Sequence, residues 1–442
     1  MSYKFCDFRD GFVGKFESLF GHAMEKFVEQ QNPSRGPQPK LGAWELVTSL
    51  VYHVMNGAGV FSHHVYQLTG VDIKDSSLSQ RRQRIGLEPF RWLMKNALRP
   101  LADKALDEGS FYNGLRLCGI DGSSWSVTNT PQILGAMTKA SSRRFEAAFA
   151  KVQMCVLVEL GIHNPLAATL GLKDEGEWAL AEELLESLPE FSLLIVDRLY
   201  GCGKYVRELI GACRSRSSEL LVRARGNVKS KHVKTLRDGS CLVTIRPPGA
   251  ETAITVREIR GRIRKPGSSQ WSEVRIWTTL LDTRKHAAMA LLKLYGFRWE
   301  QEIFYKELKI SLRGGDVLHS YTPETAAQEV AALLMASGLM AEQRLAAARD
   351  GNLNPLNISF IKTLESMKSL WLILAAAEGL LDNKTTQAII TRVRESIIRQ
   401  ATPPRRKRTC PRKVRQPVSS WPRLITNDSH EGDYEFEIIS FT

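Results

Sequence analysis

The feature that most restricts what this chain can become is a change of hydrophobic period near residue 115. Before it, apolar side chains recur at helical spacing, as in Phe12, Phe16, Leu19 and Phe20 and again in Trp44, Leu46, Val47, Leu50 and Val51. After it the spacing is that of strands. An apolar run over 115–120 leads into Asp121-Gly122, and the run 151–160 sets Val152, Met154, Val156 and Val158 on one side with Cys155 and Leu157 on the other. Both faces of such a strand expect burial. The spacing then predicts a helix over 175–188, a short buried strand over 193–196 ending at Asp197, and a helix over 203–213. Alternation of this kind builds an α/β core. Between 219 and 282 strands dominate, at 220–225, 241–246, 253–259 and 273–281, with turn segments Pro247-Pro248-Gly249 and Lys265-Pro266-Gly267 between them. This is a β-rich insertion. Helices resume over 286–312, 323–349 and 360–377.

Charge narrows the partner. Of 442 residues, 61 are Lys or Arg and 47 are Asp or Glu, a net +14 that favours a polyanion. With 43% apolar residues the chain can bury a large core, which excludes a disordered or collagen-like protein. The seven cysteines (Cys6, Cys118, Cys155, Cys202, Cys213, Cys241 and Cys410) are scattered, with no C-x-x-C pair to seed a zinc site. They read as reduced packing residues. Residues 1–14 lack the pattern of a secretory signal, and the longest apolar stretch, 370–377, is far short of the roughly 20 residues that cross a bilayer. The expectation is a cytoplasmic protein with no membrane partner. His63-His64 is given no role, because adjacent helical residues do not share a face.

The chemistry lies in acidic residues. Asp121 and Asp197 follow apolar strands, at the edge where open α/β sheets hold ligands. Tyr295, Arg298, Glu302 and Lys309 are spaced by 3, 4 and 7. On a regular α-helix they fall within a stripe of roughly 60°, with Phe297, Phe304 and Leu308 behind them. Three carboxylates suit two hard cations, Mg²⁺ or Mn²⁺, that activate a hydroxyl and stabilise a leaving phosphodiester oxygen. Arg298 and Lys309 then suit phosphate oxygens. A short helix opening at Asp75, Ser76 and Ser77 and closing at Gly86 carries Arg81, Arg82 and Arg84, either against DNA or as a solvated face. A basic tail over 403–415 suits phosphate contact through counterion release, or serves as a solubilising tail.

The spacing Tyr, two residues, Arg, three residues, Glu, six residues, Lys closely resembles that of the DDE transposases of bacterial insertion sequences, in the IS-four branch. So do Asp121-Gly122-Ser123 and Val196-Asp197-Arg198-Leu199-Tyr200-Gly201. The resemblance runs from about residue 79 to 341, with flanking likeness at 81–86, 221–226 and 321–331. It departs from the family at Ser123, where Thr is more usual, and leaves Trp125 unassigned.

The resemblance implies an α/β fold with an RNase H-like catalytic core, a mixed sheet flanked by helices, interrupted by the β-rich insertion. The expected layout is a helical DNA-binding region over 1–100, core over 101–218, insertion over 219–285, core with the Glu302 helix over 286–350, a helical region over 351–402 and the basic tail over 403–442. By matching positions Asp121, Asp197 and Glu302 are the catalytic, metal-binding carboxylates, with Tyr295, Arg298 and Lys309 on the phosphates of the element end. Trp277, with Trp271 as second choice, is the aromatic on which a flipped base stacks, unless it is a buried strand tryptophan. Arg223 and Arg225 face DNA. The implied activity is cleavage at terminal inverted repeats through a DNA hairpin, then strand transfer into target DNA. The implied partners are double-stranded DNA, at the transposon ends and the target, and a second copy in a synaptic homodimer on the bacterial nucleoid. The rivals are an inactive transposase-derived DNA-binding protein and a metal-dependent nuclease.

Overall fold

The computed structural model describes residues 40–137, 139, 146–173, 175–246, 252–315, 317–377 and 380–403, and of the remainder 408–409, 412–413, 423–424, 430–431 and 433–439. The apolar row 12–20, Cys6, Cys410, the 247–249 turn and most of the basic tail lie outside the described residues. The chain divides into two compact units, one formed by residues up to Pro189 with Trp299–Ala401, the other by Glu190–Arg298 with residues from Thr402 onward.

In the first unit four helices come first: α1 (Ala43–Asn56), α2 (Phe61–Thr69), α3 (Asp75–Ile85) and α4 (Glu88–Ala97). Leu46, Val47, Leu50 and Val51 of α1 are buried, as their spacing predicts. Asp75 does not cap its own helix. Its carboxylate accepts the Ser62 N–H at 3.0 Å and the Ser62 hydroxyl at 2.9 Å, satisfying an orphan donor in the first turn of α2.

An antiparallel meander follows, built from β1 (Phe111–Tyr112), β2 (Leu115–Val127), β3 (Ala150–Glu159) and β4 (Asn164–Gly171). The strand expected to end at Ile120 continues to Val127. Asp121 therefore lies inside β2, opposite Val156, and not at its edge. The apolar run stops at Asp121, but backbone pairing with β3 does not, and the buried side chains of Trp125 and Val127 resume the inward face. The following helix, α5 (Glu177–Leu184), sets Leu180, Ala181 and Leu184 against β3 and β4.

The second unit opens with β5 (Ser192–Val196), buried along its whole length, then α6 (Gly203–Ser215) and β6 (Glu219–Arg223), which runs parallel to β5. The fold is mixed α/β, as expected. The insertion adds β7 (Lys231–Thr235), β8 (Cys241–Ile245), β9 (Ile254–Arg264) and β10 (Trp271–Thr278), all antiparallel, with β10 joining β6 through Trp277 opposite Val222. A last strand, β11 (Glu435–Ile438), pairs with β9. The insertion is held from within by Arg257, whose buried guanidinium donates to Asp238, to Ser240 and to the carbonyls of Leu280 and His286. It is followed by helix α7 (Ala288–Leu294) and a tight 3₁₀ turn, Tyr295–Arg298.

The first unit resumes with α8 (Trp299–Lys306), which passes into a π-helical segment, Glu307–Leu312. The single helix expected over 286–312 is thus four segments in three pitches, α, 3₁₀, α and π. Gly296, a poor helix former, sits in the tight turn. A 3₁₀ turn advances about 120° per residue and a π turn less than an α turn, so the stripe drawn through Tyr295, Arg298, Glu302 and Lys309 does not hold as one α-helical face. Helix α9 (Pro323–Asp350) starts at a capping box between Thr322 and Thr325 and is buried on nearly every side. It is the axis of this unit, touching α1, α4 and β4 as well as α10 (Phe360–Ala376) and α11 (Asn383–Arg399). Among the described residues no helix is long and apolar enough to cross a membrane.

Candidate active site

Helix α8 lies against β2, and the two are joined by named bonds. The Tyr305 hydroxyl donates to the backbone carbonyl of Asp121 at 2.5 Å, and the buried amide of Gln301 donates to the carbonyl of Val156, opposite Asp121 on β3, at 3.2 Å. Burial, together with the nearby Cys155 and Asp121, raises the Tyr305 pKa well above its ordinary value, so the phenol stays a donor. Approach is close enough that a Cβ on Gly119 would stand 2.8 Å from the Gln301 side-chain oxygen. Glu302, half-buried, follows Gln301 directly. Asp121 is also half-buried, and its carboxylate accepts the Gly122 N–H at 2.9 Å. Lys309, in the π segment, donates to the carbonyl of Ser124 at 2.6 Å and stands 5.3 Å above the Trp125 ring. Trp125 thus gains a part as the apolar seat of that lysine. One scaffold therefore carries Asp121, Glu302 and Lys309.

The second unit carries Asp197, Tyr295 and Arg298. Asp197 follows β5, and its carboxylate accepts the Leu199 N–H, which closes a turn. Arg225 braces that turn, donating to the carbonyls of Arg198 at 3.2 Å and Leu199 at 2.7 Å, while its own N–H donates to the carbonyl of Gly201 at 2.9 Å. Gly201 has no alternative at this contact, since a Cβ there would lie 1.9 Å from the carbonyl oxygen of Arg223. The buried Tyr295 and half-buried Arg298 lie in the 3₁₀ turn that packs beside β5.

Residues 113–339, half of the chain, match the family model described as the transposase DDE domain. This chain belongs to the DDE transposase family. Among curated proteins of Escherichia coli (strain K12), the transposase InsG for insertion sequence element IS4 is 26% identical over 284 residues, 62% of this chain and 62% of that protein. The putative transposase InsZ is 28% identical over 127 residues, 28% of this chain and 42% of that one. The matched region thus spans less than two thirds of either relative. A cryo-EM structure of the piggyBac transposase synaptic complex with hairpin DNA aligns over 90% of this chain and 87% of that one, at 8% identity and a TM-score of 0.42.

Not every residue expected at the DNA surface of this transposase is presented there. Trp277 is fully buried in β10, and its ring N–H donates to Glu258 at 2.8 Å, so no face is open to a base. It is the buried strand tryptophan of the two readings. Trp271 is half-exposed and stacks with Arg262 and Arg264, whose guanidinium carbons stand 4.9 and 5.1 Å from the ring centre. Trp299, which sequence reasoning passed over, is 56% exposed at the start of α8. Its place beside Arg298 in the motif was the available signal.

Arg82 is likewise committed inside the protein. It donates to Gln328 at 3.1 Å, to Ser320 at 3.3 Å and to the carbonyl of Thr325 at 2.7 Å, and burial lowers its pKa against the opposing pull of Glu329. Arg81 is half-buried and Arg84 exposed, which leaves Arg84 as the arginine of α3 best placed for solvent or DNA. Arg223 is half-buried, and the Arg225 guanidinium is occupied by the Asp197 turn.

Proposed function

We propose that this chain is the transposase of an insertion sequence, which cuts DNA at the ends of its element and joins them to target DNA. The observation that carries the reading is the bonding of the Glu302 helix to the Asp121 strand through Tyr305, and to the neighbouring β3 through Gln301, within a chain whose residues 113–339 match the transposase DDE domain. Asp121, Asp197 and Glu302 act as the metal-binding carboxylates. Each is a half-buried carboxylate, the kind of oxygen ligand a hard divalent cation takes, while among the described residues no three acidic, His or Cys side chains stand grouped as a ready-made ion site. Mg²⁺ or Mn²⁺, two ions per site, supply when bound the charge that activates an attacking hydroxyl and stabilises the leaving one.

The chain's own residues do the rest. Arg298 and Lys309 take nontransferred phosphate oxygens, Arg through its planar fork and Lys as a point charge. Lys309 is held ready by the Ser124 carbonyl and the Trp125 ring. Tyr295 is buried in the 3₁₀ turn and is not presented to the element end. No enzyme nucleophile is needed, since water and then the freed 3′ hydroxyl attack phosphorus directly. A hairpin intermediate requires an aromatic surface for the displaced base, and Trp271 and Trp299 are the exposed candidates in place of Trp277. The excess of 14 positive charges suits both the element ends and the target. Two ends joined at one target call for a synaptic homodimer.

The test is cleavage and joining of DNA bearing the flanking element's ends in Mg²⁺, comparing wild type with Glu302→Gln and Asp121→Asn. Either substitution is expected to cut the rate by about two to three orders of magnitude with end binding retained. Equal activity in the variants would overturn these assignments. Hydrolysis without joining would mark a nuclease, and binding without cleavage by the wild type would mark a binding protein.

A further inference from the structure

The first unit contains a buried ionic cluster that the proposed chemistry does not use. His163, 1% exposed, stands between β3 and β4 with its backbone in the left-handed region (φ 53°). Its Nε2 lies 2.8 Å from a carboxylate oxygen of Glu300, and its Nδ1 lies 2.8 Å from one of Glu307. Ionised carboxylates only accept, so with both glutamates charged both ring nitrogens donate, as the imidazolium does. Arg344 of α9 completes the cluster, donating from Nη1 to the two oxygens of Glu307 at 3.4 and 3.2 Å and from Nε to the carbonyl of Ile358 at 3.0 Å. Two carboxylates thus meet two cations.

Glu300 and Glu307 are seven residues apart, one near the start of α8 and the other at the first position of the π segment. Glu302 lies between them. We infer that His163 is a positioning residue, clamping the segment that carries Glu302 at both ends and tying it to the β3–β4 turn, beside the strand paired with the Asp121 strand. The Tyr305 bond to Asp121 ties the same segment to β2 and the Gln301 bond to Val156 ties it to β3, so the His163 clamp acts beside these bonds in setting where Glu302 stands relative to Asp121. This inference rests on the reading of Glu302 as a catalytic carboxylate.

The groups facing the ring are Glu300 from α8, Glu307 from the π segment and Arg344 from α9. Burial, the largest influence, and Arg344 oppose the ring's charge, but Glu307 and Glu300 outweigh them and its pKa is raised. The clamp is therefore complete at pH values below the ordinary histidine range and is lost as pH rises through the raised pKa. Losing it leaves a half-buried carboxylate pair with Arg344 as the remaining cation of the cluster.

The test uses the full chain with His163→Gln, which keeps a donor but no charge, and with His163→Gln combined with Glu307→Gln, which restores the balance. In metal-free protein, amide hydrogen exchange over 299–312 is expected to quicken at least tenfold in the single variant and to slow again in the double. In Mg²⁺ the single variant is expected to cleave about 10- to 100-fold more slowly with end affinity unchanged, and to lack the wild type's decline at rising pH. Unchanged exchange with a wild-type rate and pH profile would overturn the inference. So would joint loss of folding, DNA binding and cleavage that the double variant does not repair, since that is the signature of a merely structural residue. Should the wild type itself not cleave, the functional reading fails, and the exchange result still decides whether His163 clamps the segment.

Discussion

Asp121 and Asp197 are the same residue type in the same proposed role, but they are held by different means. Asp121 sits inside a thirteen-residue strand, where ladder pairing continues on both sides of it and Tyr305 adds one bond to its backbone. Asp197 lies past the end of a five-residue strand, in a turn whose carbonyls are held by the Arg225 side chain and whose path depends on Gly201. A carboxylate fixed by a ladder is insured by many weak bonds. One fixed by a braced turn depends on a few contacts, so single substitutions should reach it more easily.

The largest effect is expected at Gly201→Ala. The added Cβ meets backbone atoms that no rotamer change can move, and the loss should be about 3 kcal/mol, read as a lower denaturant midpoint with cleavage falling in parallel. Arg225→Ala should cost less in stability, about 1–3 kcal/mol, while lowering cleavage about tenfold, because two carbonyls of the Asp197 turn lose their donor. Tyr305→Phe should cost about 1 kcal/mol and change cleavage by less than tenfold, since the Asp121 strand keeps its ladder. A larger rate loss from Tyr305→Phe than from Arg225→Ala would reverse the comparison. Smallest is Arg84→Ala, expected to shift stability by less than about 0.5 kcal/mol and, where Arg84 touches a phosphate, to reduce the salt dependence of DNA binding by about one ion. Arg82→Ala in the same helix is the control, destabilising without that salt signature.

Much of this was legible in the sequence, and what was not has physical causes. Apolar runs announced β3, β5 and β6, because those strands are buried along their length. They could not announce β7, exposed at every position with Lys231, His232 and Lys234, nor β4, which opens with Asn164-Pro165 and reads as a loop. Strand ends marked Asp121 and Asp197, and spacing marked Glu302, but spacing assumes one pitch, and the segment from Ala288 to Leu312 has three. Arg82 and Arg84 look alike in a basic run. Two residues apart on a helix they point nearly opposite ways, and the choice of which is buried belongs to Gln328 and Ser320, more than two hundred residues away. Trp277 carries the same ambiguity, resolved by a buried Glu258 on the neighbouring strand. His163 gave no local sign, since its two partners lie 137 and 144 residues further on.

The π segment at Glu307–Leu312 has a consequence for how this motif can vary. A wide turn holds one residue more than an α turn, so the side chains beyond it are rotated relative to those before it. Removing one residue there would yield a more regular helix and turn Lys309 away from Ser124 and Trp125. A shorter segment would fold at least as readily and present the wrong side chain. In a chain of this kind the irregular turn is the phase setting between a carboxylate and the lysine seven positions on, and any transplant of the helix has to carry it along.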